Sequence, residues 1–169
     1  PTAVSWAEPG RSLTMTTLAG HGIGEKNLEK TKKYIYYSVS LSIITMGITA
    51  LIFYLFPKEL ISLFIKNSEN EVINLGAMCL TLAAIEQIPM AIAMVLEGAM
   101  KGMGDTKTPF KVVIFTNWVV RLPLIYYFLY LHRHPVTTFW KITALQWTLE
   151  AIIIFIVFER KWKKHYKNF

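Results

Sequence analysis

Four apolar runs dominate the hydropathy pattern. Residues 34–57 carry no charge at all. Residues 72–96 are interrupted only by Glu86, residues 112–131 only by Arg121, and residues 142–158 only by Glu150. A helix needs about 20 mostly apolar residues to cross a bilayer's hydrocarbon core. The pattern therefore predicts an all-α membrane protein with four transmembrane helices, at about residues 33–57, 72–100, 109–131 and 138–160. Charges confined to the connections argue against a soluble bundle, and the first run begins too far along to be a signal peptide.

The connections carry their own signals. Gly102 and Gly104 permit a sharp exit from the second span, and Thr108-Pro109 predicts the start of the third, with Thr108 as N-cap and Pro109 at the first helical position. Glu97 and Lys101, four apart, are placed to pair at that end. Between the first two spans, Leu60, Ile61, Leu63, Phe64 and Ile65 predict a short amphipathic helix at the interface. Ser12 to Gly22 reads as the tail of a further helix rich in small residues, which allow close helix approach. Residues 1–27 are thus read as the end of a preceding helix and a loop, and 28–169 as the four-helix membrane unit with a basic tail.

Composition sharpens this picture. Of the 169 residues, 53% are hydrophobic and 17% charged, below the ~25% of a typical soluble domain. The net charge of +7 sits in short clusters between apolar runs, which fits membrane loops and not a nucleic-acid surface. Twelve basic residues flank the start of the first span, the second connection and the tail, against four in the other two connections (Lys58, Lys66, Arg133 and Lys141). That bias predicts a cytoplasmic C-terminus in a multi-pass plasma-membrane protein. The single cysteine, Cys79, can form no intrachain disulfide. No phosphate loop or nucleophile elbow is present, so an ATP-driven pump or hydrolase is unsupported. His132 and His134 lack the further ligands of a metal site.

Several segments carry a resemblance. Gly20-His21-Gly22-Ile23-Gly24 is similar to a Gly-Gln-x-x-Gly loop of the multidrug and toxic compound extrusion (MATE) transporters, with His21 in place of Gln. Gly98 to Pro109 resembles that family's Gly-x-x-(Arg/Lys)-Gly-x-Gly-Asp-Thr-Lys-x-Pro connection, with Lys101 where Arg is usual. Asn117-Trp118, Arg121-Leu122-Pro123-Leu124 and Tyr126 resemble its next helix, and Trp162 its basic C-terminal end. The resemblance implies the last four helices of a twelve-helix transporter, forming most of its C-terminal lobe. It implies export of organic, often cationic, compounds in exchange for Na⁺ or H⁺. No enzyme activity and no cofactor beyond the coupling ion is implied. The partners are the lipid bilayer, an N-terminal lobe and a small organic cation.

Charges at mid-bilayer cost ~2.5–3.5 kcal/mol on insertion scales, so polar residues at depth are the candidate site. Glu86, with Gln87 and Met90 beside it and Pro89 breaking the backbone ladder, is either a cation-attracting or proton-carrying acid, or a carboxyl that pairs with Arg121 or stays neutral while holding helices together. Asn117 and Arg121 share a face, and Arg121 is expected to pair with Glu86 or Glu150 or to cap carbonyls freed by Pro123. Gln146 and Glu150 also share a face, as a cation site or a structural pair. Met90 and Met94 are an adaptable wall or plain packing. Two other readings remain open: a lipid-linked oligosaccharide flippase of similar helix plan, or a non-transporting fragment.

Overall fold

A computed structural model describes the backbone of residues 3–25, 28–64 and 70–165, and the side chains of 14–25, 29–63 and 70–164. Lys26, Ile65, Lys66, Tyr166 and Lys167 lie outside the described residues. Six helical elements follow in order: α1 (Ala3–Gly24), α2 (Leu28–Leu55), α3 (Pro57–Phe64), α4 (Asn70–Gly102), α5 (Lys107–Leu131) and α6 (Thr137–His165). There is no strand among the described residues. Stretches of α2, α4, α5 and α6 are long and apolar enough to cross a membrane: Glu29–Leu55, Asn70–Gly102, Lys107–Leu131 and Thr137–Lys164.

α4 is the centre of the assembly. It packs against α1, α2, α3 and α6, and α5 closes the far side of α6. Its 33 residues make it about 50 Å long, more than the hydrocarbon core is thick. The core gathers around its last four turns, where Ala93, Leu96 and Met100 meet Met15 and Ala19 of α1, Ile35 of α2, and Ile154 and Phe158 of α6. The outward faces are apolar too. Leu41, Ile44, Ile48, Leu51 and Leu55 form an exposed stripe along α2 at helical spacing. A surface of that composition is stable against lipid and not against water.

The small-residue helix is longer than the sequence indicates. α1 begins at Ala3 and passes through Pro9, and the Gly20 to Gly24 segment, read as a loop, is its last turn. It crosses α4 closely, because Thr16 and Gly20 meet Gly98 and Gly102, small residues four apart on each helix. The Thr16 hydroxyl donates to the Gly98 carbonyl at 3.0 Å. The predicted amphipathic helix is α3, whose Ile61 lies against Gly76 while Leu63 points outward.

The turn after α4 is closed by two backbone bonds. Asp105 N–H reaches the Met100 carbonyl at 2.9 Å and Gly104 N–H reaches that of Lys101 at 3.0 Å. Gly104 takes φ +83°, a left-handed conformation that a Cβ would strain. The start of the third span differs from expectation. The helix begins at Lys107, with Thr106 preceding it and Pro109 inside the first turn. The capping acceptor is Asp105, whose Oδ1 receives the Thr108 N–H at 3.1 Å. A carboxylate competes better than a hydroxyl for helix-end N–H groups, which carry partial positive charge.

Lys161 of α6 forms an ion pair with Asp105, fastening the turn to the last helix. Partial burial pushes the Asp105 carboxyl up, but Lys161 and the Thr108 hydroxyl and N–H outweigh it, holding the carboxyl below its ordinary range. A pKa lower in the folded state than in the unfolded one stabilises fully above the unfolded value, about 3.9 for Asp. The gain disappears as pH falls through the lower folded value. Both partners are partly exposed, so the expected contribution is about 1 kcal/mol at most. Thermal unfolding of the wild type and Asp105→Asn should differ at pH 6 and converge as pH falls well below the unfolded value of about 3.9. An unchanged difference at the acid end would show that the carboxyl's charge is irrelevant to that turn.

Candidate cation site

Buried polar residues concentrate where α4, α5 and α6 meet. Glu150 of α6 is 1% exposed and Thr116 of α5 is fully buried. The Thr116 hydroxyl donates to Glu150 Oε2, and Gln146 Nε2, one turn before Glu150, donates to the same oxygen at 2.7 Å. Two donors on one oxygen fix the carboxyl's orientation between the helices. Glu97 of α4 is buried too, 8% exposed. Its Oε2 is 3.3 Å from Lys101 Nζ, the expected pairing along α4. The buried Oε1 atoms of Gln146 and Gln87 have no hydrogen-bond partner among the described residues.

α5 places Thr116 through an irregular backbone. Phe115–Arg121 and Tyr126–Leu131 are π-helical, with Leu122 N–H bonding the Asn117 carbonyl. The widened turns flank Pro123, which has no N–H to donate and whose ring clashes with the carbonyl four residues back. The same change of register turns the half-buried Asn117 back onto its own helix, its Nδ2 donating to the Val113 carbonyl at 2.9 Å.

Glu86 and Gln87 are buried midway along α4, and Met90 is half-buried one turn later. The expected pairing of Arg121 does not form. Its Nη1 reaches Asn117 Oδ1 at 3.5 Å, and its guanidinium lies 5.4 Å from the centre of the Phe139 ring. Half-buried on α5, it sits over a π-face and makes no ion pair with either carboxylate.

Of the sequence candidates, Gln146 and Glu150 are brought together, as are Asn117 and Arg121, and Glu86 and Gln87 are buried side by side on α4. Glu97 and Thr116 were not anticipated. Glu97 looked like half of a surface ion pair. Thr116 could have been found from Pro109, Val112 and Thr116, which repeat at helical spacing and are all buried.

Three buried acids, Glu86, Glu97 and Glu150, thus lie on helices long enough to span a membrane. Residues 7–127 match the family model described as MatE, most of the chain. The chain belongs to the MatE family. It is 29% identical over 148 residues to "Probable multidrug resistance protein NorM" of Mannheimia succiniciproducens, covering 85% of this chain and 31% of that relative. It is 30% identical over 114 residues to the protein of the same name from Pasteurella multocida, covering 68% and 24%. The chain thus spans less than a third of the length of either. Among solved structures, it resembles the "Inward-facing conformation of a multidrug resistance MATE family transporter of the MOP superfamily". That likeness has a TM-score of 0.79 at 17% identity and covers 92% of this chain and 36% of the other. It shows that these helices take the MatE arrangement.

Proposed function

We infer that this MatE chain forms most of the C-terminal lobe of a twelve-helix transporter that exports organic, cationic compounds in exchange for Na⁺ or H⁺. The carrying observation is the burial of three carboxyls, Glu86, Glu97 and Glu150, on helices long enough to span a membrane. Acids at that depth attract cations, either a substrate's positive charge or the coupling ion. Arg121, the only arginine inside the four apolar runs, is engaged by Asn117 and Phe139, which favours cationic cargo over a pyrophosphate-linked sugar. Relatives that carry the name of multidrug resistance proteins support the same choice.

In this reading the N-terminal lobe completes the pathway, alternating access is a rocking of the two lobes, and the C-terminus lies in the cytoplasm of a plasma-membrane protein. The twelve-to-four distribution of basic residues supports that orientation.

The test is ethidium export from cells or vesicles bearing the complete transporter. Glu86→Gln keeps the side chain's shape and removes its charge. Export is expected to fall at least about fivefold at unchanged membrane yield, which corresponds to about 1 kcal/mol or more. Ion-coupled export at the wild-type rate would remove Glu86 from the mechanism.

A further inference from the structure

We propose that the cavity between the end of α4 and the start of α5 binds the headgroup of an anionic phospholipid. The cavity has a volume of about 530 Å³ and is lined by Glu97, Lys101, Thr106, Lys107, Phe110 and Val113. That volume lies within the roughly 300–1,000 Å³ of small-molecule sites. Its height in the membrane is right for a headgroup. The 25 residues of α5 extend about 37 Å, enough for the hydrocarbon core and part of the headgroup layer on each side. The first turn of α5, with Lys107, therefore lies among headgroups.

The charge has the right sign. Lys101 Nζ stands 3.3 Å from Glu97 Oε2, so those two largely cancel. Lys107 is exposed and makes no ion pair among the described residues, which leaves the lining one net positive charge. The neighbouring Asp105 does not reverse it, because Lys161 pairs with Asp105. Lys111, exposed one turn further on α5, adds to the same sign. A phosphodiester carries one negative charge and so matches the surplus. Thr106 offers a hydroxyl donor: it is exposed, and its side chain makes no capping bond to α5.

The apolar part of the lining distinguishes a lipid from a free phosphate. Phe110 is 63% exposed, Val113 is half-buried, and Ile114, one turn beyond Phe110, is 41% exposed. Along α5, from its start toward the membrane interior, lysine thus gives way to apolar side chains. A headgroup at Lys107 with acyl chains against Phe110 and Ile114 engages both kinds of surface, whereas a free phosphate ester engages only the first. Basic pockets between spans at the membrane surface are a recurrent form of headgroup site. A lipid can bind here whether or not the chain takes part in transport.

Native mass spectrometry of the purified chain in detergent, with phosphatidylglycerol or phosphatidylcholine of the same acyl chains, tests the binding. The wild type should hold phosphatidylglycerol at least about fivefold more than phosphatidylcholine, and Lys107→Gln should lose most of that preference. Lys164→Gln is the control, because Lys164 is exposed at the same end of the bundle and lines no part of the cavity. It should bind as the wild type does. A melting temperature equal to that of the wild type shows that a variant is folded. Equal binding of the two lipids by the wild type would overturn the proposal, as would an unchanged preference in Lys107→Gln. An equal loss in Lys164→Gln would also overturn it, since the attraction would then belong to the basic surface in general. Glycerol 3-phosphate at the lipid's concentration should leave the lipid bound; displacement would make the ligand a free phosphate ester and sink the lipid assignment.

A second measurement needs no variant. Phosphatidylglycerol with a photoreactive diazirine in its headgroup, in vesicles bearing the chain, should label within residues 101–113. Label confined to other segments overturns the proposal.

Discussion

Gly102→Val is expected to break the contact between α1 and α4 and to lower the melting temperature of the detergent-solubilised chain by about 6 °C. A Cβ on Gly102 would stand 2.1 Å from the Thr16 carbonyl oxygen and 2.9 Å from two further backbone atoms of that residue. No rotamer change moves a backbone, so α1 itself must retreat. Its retreat breaks the hydrogen bond from Thr16 to the Gly98 carbonyl and draws Met15 and Ala19 out of the core. Overpacking costs about 1–3 kcal/mol, and the lost hydrogen bond about 0.5–1.5.

The opposing effect is the better helix propensity of residues other than glycine, about 1 kcal/mol at best. The balance is a loss of about 2 kcal/mol, which in a domain of this size lowers the melting point by about 3 °C per kcal/mol. Gly47 supplies the control, because a Cβ there would meet nothing within 4 Å. Gly47→Ala should melt at or above the wild-type temperature. Equal melting of Gly102→Val and the wild type would show that the two helices do not cross as closely as the structure places them.

This crossing also shows what the sequence makes legible. Small residues between Ser12 and Gly22 announce a helix that needs a close neighbour, and Gly98 and Gly102 announce the neighbour's groove. The extent of α1 is hidden because Pro9 and Gly10 are local breakers, yet the helix runs through both. The four spans are legible because an uncharged run of this length has few soluble alternatives.

The candidate site is legible only in part. Gln146 and Glu150 share a regular helix, so four-residue spacing places them correctly. Thr116 lies in a π-helical turn, where residues advance by a different angle and the inward face passes from Asn117 to its neighbour. Glu97 is deceptive in another way. Its distance from the helix end and its pairing with Lys101 describe height along α4, whereas its burial depends on which side of α4 meets α6. Only the packing of Ala151 and Ile154 against the last turns of α4 decides that. The pairing predicted for Arg121 fails for the same reason: depth in the membrane does not specify which helix face an arginine occupies.

Phe158→Ala should destabilise the chain by about 2–3 kcal/mol, while Phe155→Ala, three residues earlier on the same helix, should cost less than about 0.5 kcal/mol. Phe158 is 1% exposed, in the core with Leu96 and Met100, its ring 5.7 Å from that of Trp162. Phe155 is 41% exposed on the outward face. In water, Phe→Ala in a core costs about 3–5 kcal/mol, made of a transfer part and a cavity part. Within a bilayer the transfer part shrinks, because a side chain released from its neighbours still finds lipid and not water. The cavity part remains: removing ~100 Å³ at ~24 cal/mol per Å³ costs ~2.4 kcal/mol. Part of the ring contact with Trp162 is lost in addition, and the indole also carries the Lys32 ammonium at 5.8 Å and so helps to hold α2 against α6. At Phe155 lipid chains fill whatever space the ring leaves. Melting curves of the two variants in the same lipid environment decide the matter. A larger loss from Phe155→Ala would mean that α6 turns its other face to the bundle, and Glu150, on the Phe158 side two turns earlier, would then face away from Thr116 of α5.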